Sequence, residues 1–400
     1  METKTTALAD ELTKHLDEAA LLADLSELVR IPSVNPFDDD PAPGFQEQEL
    51  AEFYGQRMRE LGLEVEFREV APERPIVWGR LRGTGNGPSV MLAGHMDTVG
   101  VPRYEGDPFD PKVADGKLYG RGSCDMKAAL AAYLEVVRLL RTGGVELGGD
   151  LIIAGVPDEE YQLIGSKEMG KHGPWADFGI IGEPTDLKVC PAHKGQFSLF
   201  LRTFGKAAHS SVPELGENAI ERMAQVVLAF ADYNEELQQR EPHALCGHGT
   251  FSPGVIRGGD IVAAVPDLCE LEVDRRILPG ETAEDVVGDY RVRLEALVRN
   301  HPGLRYEISE PSWYIPSLDL PLDSPVVTGI ARAYESVVGK PATVTAFSAA
   351  TDAPNLGFPT VVCGPGSLAQ AHTTCEYVRT AEVVDATKIY LHTVLGLSGG

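Results

Sequence analysis

Short apolar runs alternate with longer amphipathic segments along most of the chain. Apolar positions that recur with a helical period predict helices at about 7–30, 46–61 and 126–141. Runs such as SVMLAG and LIIAGV are too short for helices and predict strands covered on both faces. Strands are predicted at 63–70, 76–82, 89–94, 151–156, 178–182 and 359–363. Their alternation with helices is typical of an α/β domain with a mostly parallel, mixed sheet.

The pattern differs between residues 188 and 311. There the sequence predicts, in order, the strand QFSLFLRTFG, a helix at 217–240, strands at 249–257 and LCELEVDRRIL, a helix at 282–299 and the strand LRYEISE. The order β-α-β-β-α-β is that of a ferredoxin-like α+β unit. After Ser312 the earlier alternation returns. We therefore predict an α/β domain, residues 1–187 and 312–400, interrupted by an inserted domain, residues 188–311.

The charge balance excludes two classes of partner. The chain has 400 residues, of which 60 are Asp or Glu and 35 are Lys or Arg, giving a net charge of −25. Without a basic block, such a chain repels nucleic acids and anionic membrane surfaces, so neither is an expected partner. The N-terminus lacks a signal-peptide pattern, and no window approaches the roughly 20 apolar residues of a membrane span, which predicts a cytoplasmic protein. Six cysteines without a CxxC pair predict reduced, buried thiols.

Three acidic or histidine clusters directly follow predicted buried strands: GHMD at 94–97, PDEE at 157–160 and GEPT at 182–185. The carboxyl ends of parallel strands lie at one edge of a sheet, where ligands bind. One such cluster alone is more often a solvated loop with helix-capping carboxylates. Three clusters at three strand ends favour a shared site.

Two further residues extend the candidate site. Asp125 lies in the stretch GRGSCDMK, which opens a predicted helix, and His372 follows the last predicted buried strand. An N-cap role explains Asp125 alone, but it does not explain Arg121 and Gly122 before it. The resulting set has two imidazoles and three carboxylates: His95, Asp125, Glu160, Glu183 and His372. This mixture suits zinc, with cobalt or manganese as substitutes, and does not suit calcium or magnesium.

The residues next to these ligands suggest supporting roles. Asp97, two positions after His95, is placed to hold that imidazole by a hydrogen bond. Glu159, adjacent to Glu160, could act as a general base that takes a proton from water. Two metal ions close together need a bridging ligand, which a carboxylate provides well.

The sequence resembles the dinuclear zinc amidohydrolases that include acetylornithine deacetylase, succinyl-diaminopimelate desuccinylase, aminoacylase and glutamate carboxypeptidase. The resemblance covers nearly the whole chain. Its landmarks occur in order as GHMDTVG (94–100), GRGSCDMKAALAA (120–132), PDEE (157–160), GEPTD (182–186), KAAHSS (206–211), GGDIVAAVPDLCELEVDRRILPG (258–280) and GPGSLAQAH (364–372).

By this resemblance, Asp125 bridges two zinc ions. His95 and Glu183 complete one site, and Glu160 and His372 complete the other. The resemblance also implies that Glu159 is the general base, that Asp97 supports His95, and that the peptide bond after Asp125 is cis. The fold it implies is a zinc-peptidase-like catalytic domain with an inserted lid and dimerisation domain.

The inserted domain carries two more residues that match the family. His209 matches a histidine that stabilises the oxyanion, often in the active site of the partner subunit. Arg276, in the Asp-x-Arg-x-x-Pro stretch, matches the arginine that binds the substrate carboxylate. The family usually dimerises through this domain, so we expect a homodimer.

Three features bear on the substrate. Ala263 stands where the family commonly has Asn, and Cys375 stands where it has Asn or Asp; we expect Cys375 to be a buried thiol. The stretch Thr351-Asp352-Ala-Pro resembles acetylornithine deacetylase more than the desuccinylase. The hypothesis is therefore hydrolysis of the N-acyl bond of an amino acid, with desuccinylase-like, dipeptidase or carboxypeptidase activity on a short peptide as alternatives.

Other classes of protein fit the sequence less well. A two-domain, non-catalytic amino-acid-binding protein would not need every expected catalytic position to be filled. A nicotinamide dehydrogenase needs its Gly-rich turn after a strand, whereas GTGNG (83–87) precedes one. A serine hydrolase built on the His209-Ser210-Ser211 stretch lacks a strand-turn-helix nucleophile elbow.

Overall fold

The computed structural model describes residues 2–37 and 46–399. The chain divides into two compact units. The larger unit contains Met1–Ala192, Leu320–Phe347 and Thr351–Gly400, and the smaller unit contains His193–Asp319 and Ser348–Ala350.

The helices among the described residues are α1 (Glu2–Thr13), α2 (Glu18–Arg30), α3 (Gln48–Glu60), α4 (Lys127–Thr142), α5 (Ile164–His172), α6 (Ala219–Ala229), α7 (Tyr233–Gln239), α8 (Ala283–Asn300), α9 (Pro325–Val338) and α10 (Thr380–Ser398). The first eight strands are β1 (Glu64–Ala71), β2 (Arg74–Leu81), β3 (Val90–His95), β4 (Lys112–Ala114), β5 (Lys117–Tyr119), β6 (Leu151–Val156), β7 (Phe178–Ile181) and β8 (Val189–His193). The others are β9 (Gly195–Phe204), β10 (Ala208–His209), β11 (Thr250–Gly258), β12 (Ala264–Val265), β13 (Leu268–Ile277), β14 (Arg305–Ile308), β15 (Trp313–Ile315), β16 (Leu318–Asp319), β17 (Val344–Phe347), β18 (Thr360–Val362) and β19 (Tyr377–Arg379).

The main sheet of the larger unit has the order β1-β2-β6-β3-β7-β18-β8, with β17 also on β8. The pairs β6/β3, β3/β7 and β7/β18 are parallel, whereas β1/β2, β2/β6 and β18/β8 are antiparallel. The predicted mixed α/β sheet is therefore confirmed, with parallel pairing among the four central strands β6, β3, β7 and β18. All residues of β3 and β6 are buried, as their continuous apolar runs predict.

The smaller unit contains an antiparallel sheet with the order β11-β13-β9-β14, and β15 also pairs with β9. Along the chain its main elements follow the order β9-α6-β11-β13-α8-β14, which is the β-α-β-β-α-β order of the sequence prediction. Its core includes an aromatic cluster of Phe230, Tyr233, Phe251 and Tyr290, whose ring centroids are 5.1–5.9 Å apart. Strand β11 lies at the edge of this sheet.

The boundaries between the units lie later than the predicted positions 187/188 and 311/312. Strand β8 pairs with β18 in the main sheet, which keeps residues 189–192 in the larger unit. Strand β15 pairs with β9, which places residues 313–315 in the smaller unit.

Two predicted helices are each broken in the structure. The segment 7–30 forms α1 and α2, because Asp17 caps α2 by accepting a hydrogen bond from the Ala20 amide (3.0 Å). The segment 217–240 forms α6 and α7, and Asn234 at the start of α7 is anchored by two hydrogen bonds to the main chain of Phe251. The apolar pattern continues across both breaks, so the sequence predicted a single helix in each segment.

The cysteine prediction is wrong at one position. All six cysteines are free, and five are buried, but Cys375 is exposed. It lies in the irregular segment between β18 and β19, where the chain reaches the surface. None of the helices in the described part of the chain is long and apolar enough to cross a membrane.

Candidate metal centre

The ends of three parallel strands bring the predicted ligands together. His95 is the last residue of β3 and lies opposite Val156 of β6, while Ala93 lies opposite Ile181 of β7. Glu159 and Glu160 therefore follow the end of β6, and Glu183 follows the end of β7, at the same edge as His95. The register of β3 with β6 and β7 places these strand ends side by side, and the apolar runs that form the strands are buried together in the sheet.

Asp125 lies between two imidazoles. Its Oδ1 is 3.1 Å from His95 Nε2, and its Oδ2 is 3.5 Å from His372 Nε2. His95 Nε2 is also 3.8 Å from Glu183 Oε2, and His372 Nε2 is 3.0 Å from Glu160 Oε2. Asp125 thus offers one oxygen to each of two His–Glu pairs. The peptide bond from Asp125 to Met126 is cis, as the resemblance implied.

The imidazoles of the two pairs differ in their exposure to solvent, whereas the carboxylates of Glu183 and Glu160 are both buried. The side chain of His95 is 1% exposed, whereas that of His372 is 52% exposed. We call His95 and Glu183 the buried half of the site, and His372 and Glu160 the open half. Asp125 is shared by both halves.

The donor set fits divalent transition metals. Ligand atoms of His95, Asp125 and Glu160 all lie within 4.8 Å of one another. In the buried half, Glu183 Oε1 is inaccessible and has no hydrogen-bond partner within the described residues. A buried carboxylate oxygen without a partner is costly, and a bound cation would satisfy it. Imidazole and carboxylate donors together suit zinc, cobalt or manganese.

The electrostatics of the site also favour cations. Burial raises the pKa of Glu183 and of Glu159 well above the usual range, and the neighbouring Glu183 carboxylate raises the pKa of Glu159 further. Hydrogen bonds from both imidazoles keep the pKa of Asp125 below its usual value in spite of its burial. Hydrogen bonds to Asp125 and Glu160 raise the pKa of His372 to about 10. Protonated imidazoles thus balance part of the negative charge of the carboxylates.

Asp97 supports His95 in a different way from the prediction. His95 Nδ1 bonds to the main-chain carbonyl of Asp97 (2.8 Å), and the carboxylate oxygen Oδ1 lies 3.6 Å from Nδ1. The Asp97 carboxylate instead accepts hydrogen bonds from the amides of Glu159 (3.1 Å) and Glu160 (3.0 Å). Asp97 therefore fixes the turn that carries Glu159 and Glu160, and it orients the imidazole through its backbone.

A buried polar network that the sequence analysis missed supports this turn. Asn35 Nδ2 donates to Asp97 Oδ2 (2.8 Å) and Asp158 Oδ1 (3.0 Å), and Arg74 donates to Asp158 Oδ1 (2.7 Å). Arg74 also binds Glu47 through two nitrogens. Only Asp158, inside the PDEE cluster, carried a signal in the sequence. The other members are distant in sequence and belong to no recognisable motif.

The remaining predicted site residues belong to the smaller unit. His209, in β10, is exposed, and its Nδ1 is 2.8 Å from Ser211 Oγ. Arg276, in β13, donates from Nε to Asp274 Oδ1 (3.0 Å), and its side chain is 35% exposed. The seven other predicted site residues come together in the larger unit.

Comparison with known proteins agrees with this geometry. The family described as Peptidase family M20/M25/M40 matches residues 91–396. The chain belongs to this family. An acetylornithine deacetylase of Photorhabdus laumondii is 33% identical over 373 residues, covering 91% of this chain and 93% of the relative. M20 membership and relatives of this kind identify the protein as an amidohydrolase that cleaves amide bonds in a metal-dependent reaction.

Other M20-related proteins differ in the function that is named for them. The N-formyl-4-amino-5-aminomethyl-2-methylpyrimidine deformylase of Bacillus subtilis is 29% identical over 404 residues, covering 92% of this chain and 94% of that protein. The structure of aminopeptidase PepT from Bacillus cereus matches 96% of this chain and 99% of its own, with a TM-score of 0.78 and 22% identity. The likeness to aminopeptidase PepT shows that the two proteins share a fold.

Proposed function

We propose that the protein removes the acyl group from an N-acylated α-amino acid, in the manner of acetylornithine deacetylase. The observation that carries this proposal is the position of Asp125, with one oxygen toward His95 and the other toward His372. The named activity of relatives that are about one-third identical supports the N-acetyl amino acid as the substrate class.

The proposed cofactors are two zinc ions, for which cobalt or manganese could substitute. His95 and Glu183 would hold one ion, His372 and Glu160 the other, and Asp125 would contact both. When bound, such ions polarise the scissile carbonyl and make water more acidic. The carbonyl of Asp97 keeps His95 in the orientation that presents Nε2 to the site.

Glu159 is the proposed general base. The hydrogen bond from its amide to Asp97 Oδ1 fixes its backbone next to His95 and Glu160. Burial and the neighbouring Glu183 raise the pKa of its carboxyl group. A general base is most effective when its pKa lies near the working pH, so this shift favours proton transfer at neutral pH. Glu159 would take a proton from the attacking water and then pass it to the leaving amine.

In the smaller unit, His209 is the proposed stabiliser of the oxyanion, and Arg276 is the proposed anchor for the substrate carboxylate. The hydrogen bond to Ser211 holds the His209 ring through Nδ1. Asp274 engages Arg276 through Nε, and the terminal nitrogens of a guanidinium are well suited to bind a carboxylate.

We propose a homodimer formed through the smaller unit, which would also serve as a lid. Strand β11 is paired with β13 on one side, and nearly all its residues are exposed. Exposed apolar side chains lie on this strand and elsewhere in the unit, including Ile256, Leu228 and Val262. An identical edge strand on a second copy could pair with β11 about a twofold axis, which would cover an edge that otherwise invites aggregation.

Succinyl-diaminopimelate and dipeptides fit the same metal-binding residues and remain alternative substrates. Membership of a hydrolase family removes the alternative of a non-catalytic amino-acid-binding protein. The assay that separates the substrates is a panel of N-acetyl, N-formyl and N-succinyl amino acids and dipeptides, with added zinc or cobalt and with a chelator. We expect N-acetyl-L-ornithine to give the highest kcat/KM and the chelator to abolish turnover. If no N-acyl amino acid is hydrolysed, the proposal is wrong.

The role of Glu159 can be tested by the change Glu159→Gln. We expect kcat to fall by about 10²–10⁴-fold, the range for a lost general base, with the metal content unchanged. Glu168→Gln, in α5 of the same unit, is the matched control and should retain wild-type kcat. Loss of bound metal from Glu159→Gln would show that Glu159 is a ligand and would contradict its assignment as the base.

A further inference from the structure

Arg121 and Glu376 form a buried ion pair next to Asp125 in the structure. The Glu376 carboxylate is inaccessible to solvent, and its Oε2 accepts hydrogen bonds from Arg121 (2.6 Å) and from the Gly122 amide (3.2 Å). Its Oε1 accepts hydrogen bonds from the amides of Cys124 (2.8 Å) and Asp125 (3.0 Å). One carboxylate thus fixes the backbone of the loop that ends in Asp125.

The same pair also fixes the segment that carries His372. Arg121 donates from its second terminal nitrogen to the carbonyl of Thr373 (3.1 Å), the residue after His372. The Gly120 amide donates to the carbonyl of Glu376 (3.1 Å). Each side chain of the pair therefore holds the backbone segment that carries the other side chain. The contacts are reciprocal between the loop of Asp125 and the segment of His372.

His372 needs such support more than His95 does. His95 is the last residue of a buried central strand, whereas His372 lies in an irregular segment between β18 and β19. His372 also has a φ of 61°, a left-handed conformation that residues other than glycine rarely adopt. Such conformations persist where the surroundings impose them. The Arg121–Glu376 pair supplies contacts directly after this position, at Thr373 and Glu376.

We propose that the Arg121–Glu376 pair is a positioning device for the open half of the metal centre. It sets the place of His372 relative to Asp125, so that His372, Glu160 and Asp125 can bind one ion together. The inference rests on the proposed two-metal function, and it assigns roles to two residues that do not touch the reacting atoms. The buried half depends less on the pair, because His95 and Glu183 follow β3 and β7 and only the shared Asp125 is held by Glu376.

The test is the change Glu376→Gln, followed by zinc titration of the metal-free protein against a competing chelator. An amide cannot accept hydrogen bonds at both of its terminal atoms, so one set of donors loses its partner. We expect the affinity for one of the two ions to fall by about 10–100-fold, the usual effect of removing a residue that orients metal ligands. The affinity for the other ion should fall by less, because of its ligands only the shared Asp125 is held by Glu376.

Glu135→Gln is the matched control. Glu135 is equally buried, pairs with Arg138 in α4 and accepts a hydrogen bond from the Asp17 amide (3.1 Å). We expect this variant to lose thermal stability with both metal affinities unchanged. If Glu376→Gln behaves in the same way, the Arg121–Glu376 pair is structural only and the proposal is wrong.

His372→Asn identifies which ion is affected. Asn removes the imidazole and is among the residues best tolerated at a left-handed φ. We expect Glu376→Gln to weaken the same ion that His372→Asn removes, and the double variant to add little to the loss. Fully additive losses, or a larger weakening of the other ion, would contradict the assignment to the open half.

Arg121→Lys keeps the test valid if Glu376→Gln does not fold. Lysine retains the charge but lacks the second planar nitrogen that reaches Thr373, so the same ion should again be weakened. Wild-type affinities in Arg121→Lys would overturn the proposal. Failure of the wild-type protein to hydrolyse any N-acyl amino acid would instead refute the proposed function, and the metal titrations would still decide the role of the pair.

Discussion

His95 and His372 reach the same carboxylate, Asp125, from different surroundings. The residue His95 ends a central strand and is 1% exposed, whereas the residue His372 lies in an irregular segment and is 52% exposed. Hydrogen bonding in the sheet and a backbone carbonyl hold the first imidazole, while the Arg121–Glu376 pair holds the segment of the second. The comparison shows that one metal centre can combine a rigid half, built into the sheet, with a half whose geometry depends on a few side chains.

Exposure also separates the two halves energetically. In the buried half, low polarizability of the surroundings strengthens each interaction between His95 and the carboxylates and makes an unpaired charge costly. In the open half, water screens the contacts of His372, so that its ion pairs contribute less to the stability of the fold. We therefore expect changes in the buried half to affect folding and metal binding together, and changes in the open half to affect mainly metal binding.

The largest effect should follow from Asp125→Asn, because it removes the residue that the halves share. We expect both metal affinities to fall and kcat/KM to drop by about 10³-fold or more, since bound metals supply several kcal/mol of transition-state stabilisation. Elemental analysis of the purified variant and assays with excess zinc would measure both. If Asp125→Asn retains two tightly bound ions, Asp125 does not join the halves.

A smaller effect should distinguish His95→Asn from His372→Asn in the metal-free protein. Removal of the buried His95 leaves the surrounding carboxylates unpaired, so we expect the free energy of unfolding to fall by about 3 kcal/mol or more. Removal of the half-exposed His372 should lower it by less, because water screens the ion pairs of this imidazole. Urea unfolding of both variants without metal measures the difference. Equal losses would show that the halves do not differ in this way.

The pH dependence of metal binding should give the smallest effect. In the metal-free protein, Asp125 and Glu160 raise the pKa of His372 to about 10, so this imidazole is protonated at neutral pH. Metal binding requires the neutral ring and must release that proton, so affinity should rise about tenfold per pH unit for each proton released. Calorimetry in buffers of different ionisation enthalpy should show about one fewer released proton for His372→Asn. An unchanged number would contradict the raised pKa.

The sequence predicted the parts of the site that depend on local pattern. The apolar runs of β3, β6 and β7 identified three strand ends, and the polar clusters after them contained His95, Glu160 and Glu183. Strand pairing alone then brings these residues together, so little other information is needed. The same reasoning gave the order of elements in the smaller unit.

The parts that depend on long-range side-chain contacts could not be predicted in this way. Arg121 and Glu376 are 255 positions apart, and Arg74 and Asp158 are 84 positions apart. Sequence spacing also could not show that Asp97 holds His95 through its carbonyl and not through its carboxylate. Two of these residues carried a signal in the sequence: Arg121, which helix capping left unexplained, and Asp158, which lies inside the PDEE cluster.

The central claim is that Asp125 joins a buried half and an open half into one centre that binds two metal ions. The most direct test is a diffraction experiment on zinc-loaded crystals at the zinc absorption edge. We predict two anomalous peaks, one beside His95 and Glu183 and one beside His372 and Glu160, with Asp125 in contact with both. A single peak, or two peaks that do not share Asp125, would contradict the account.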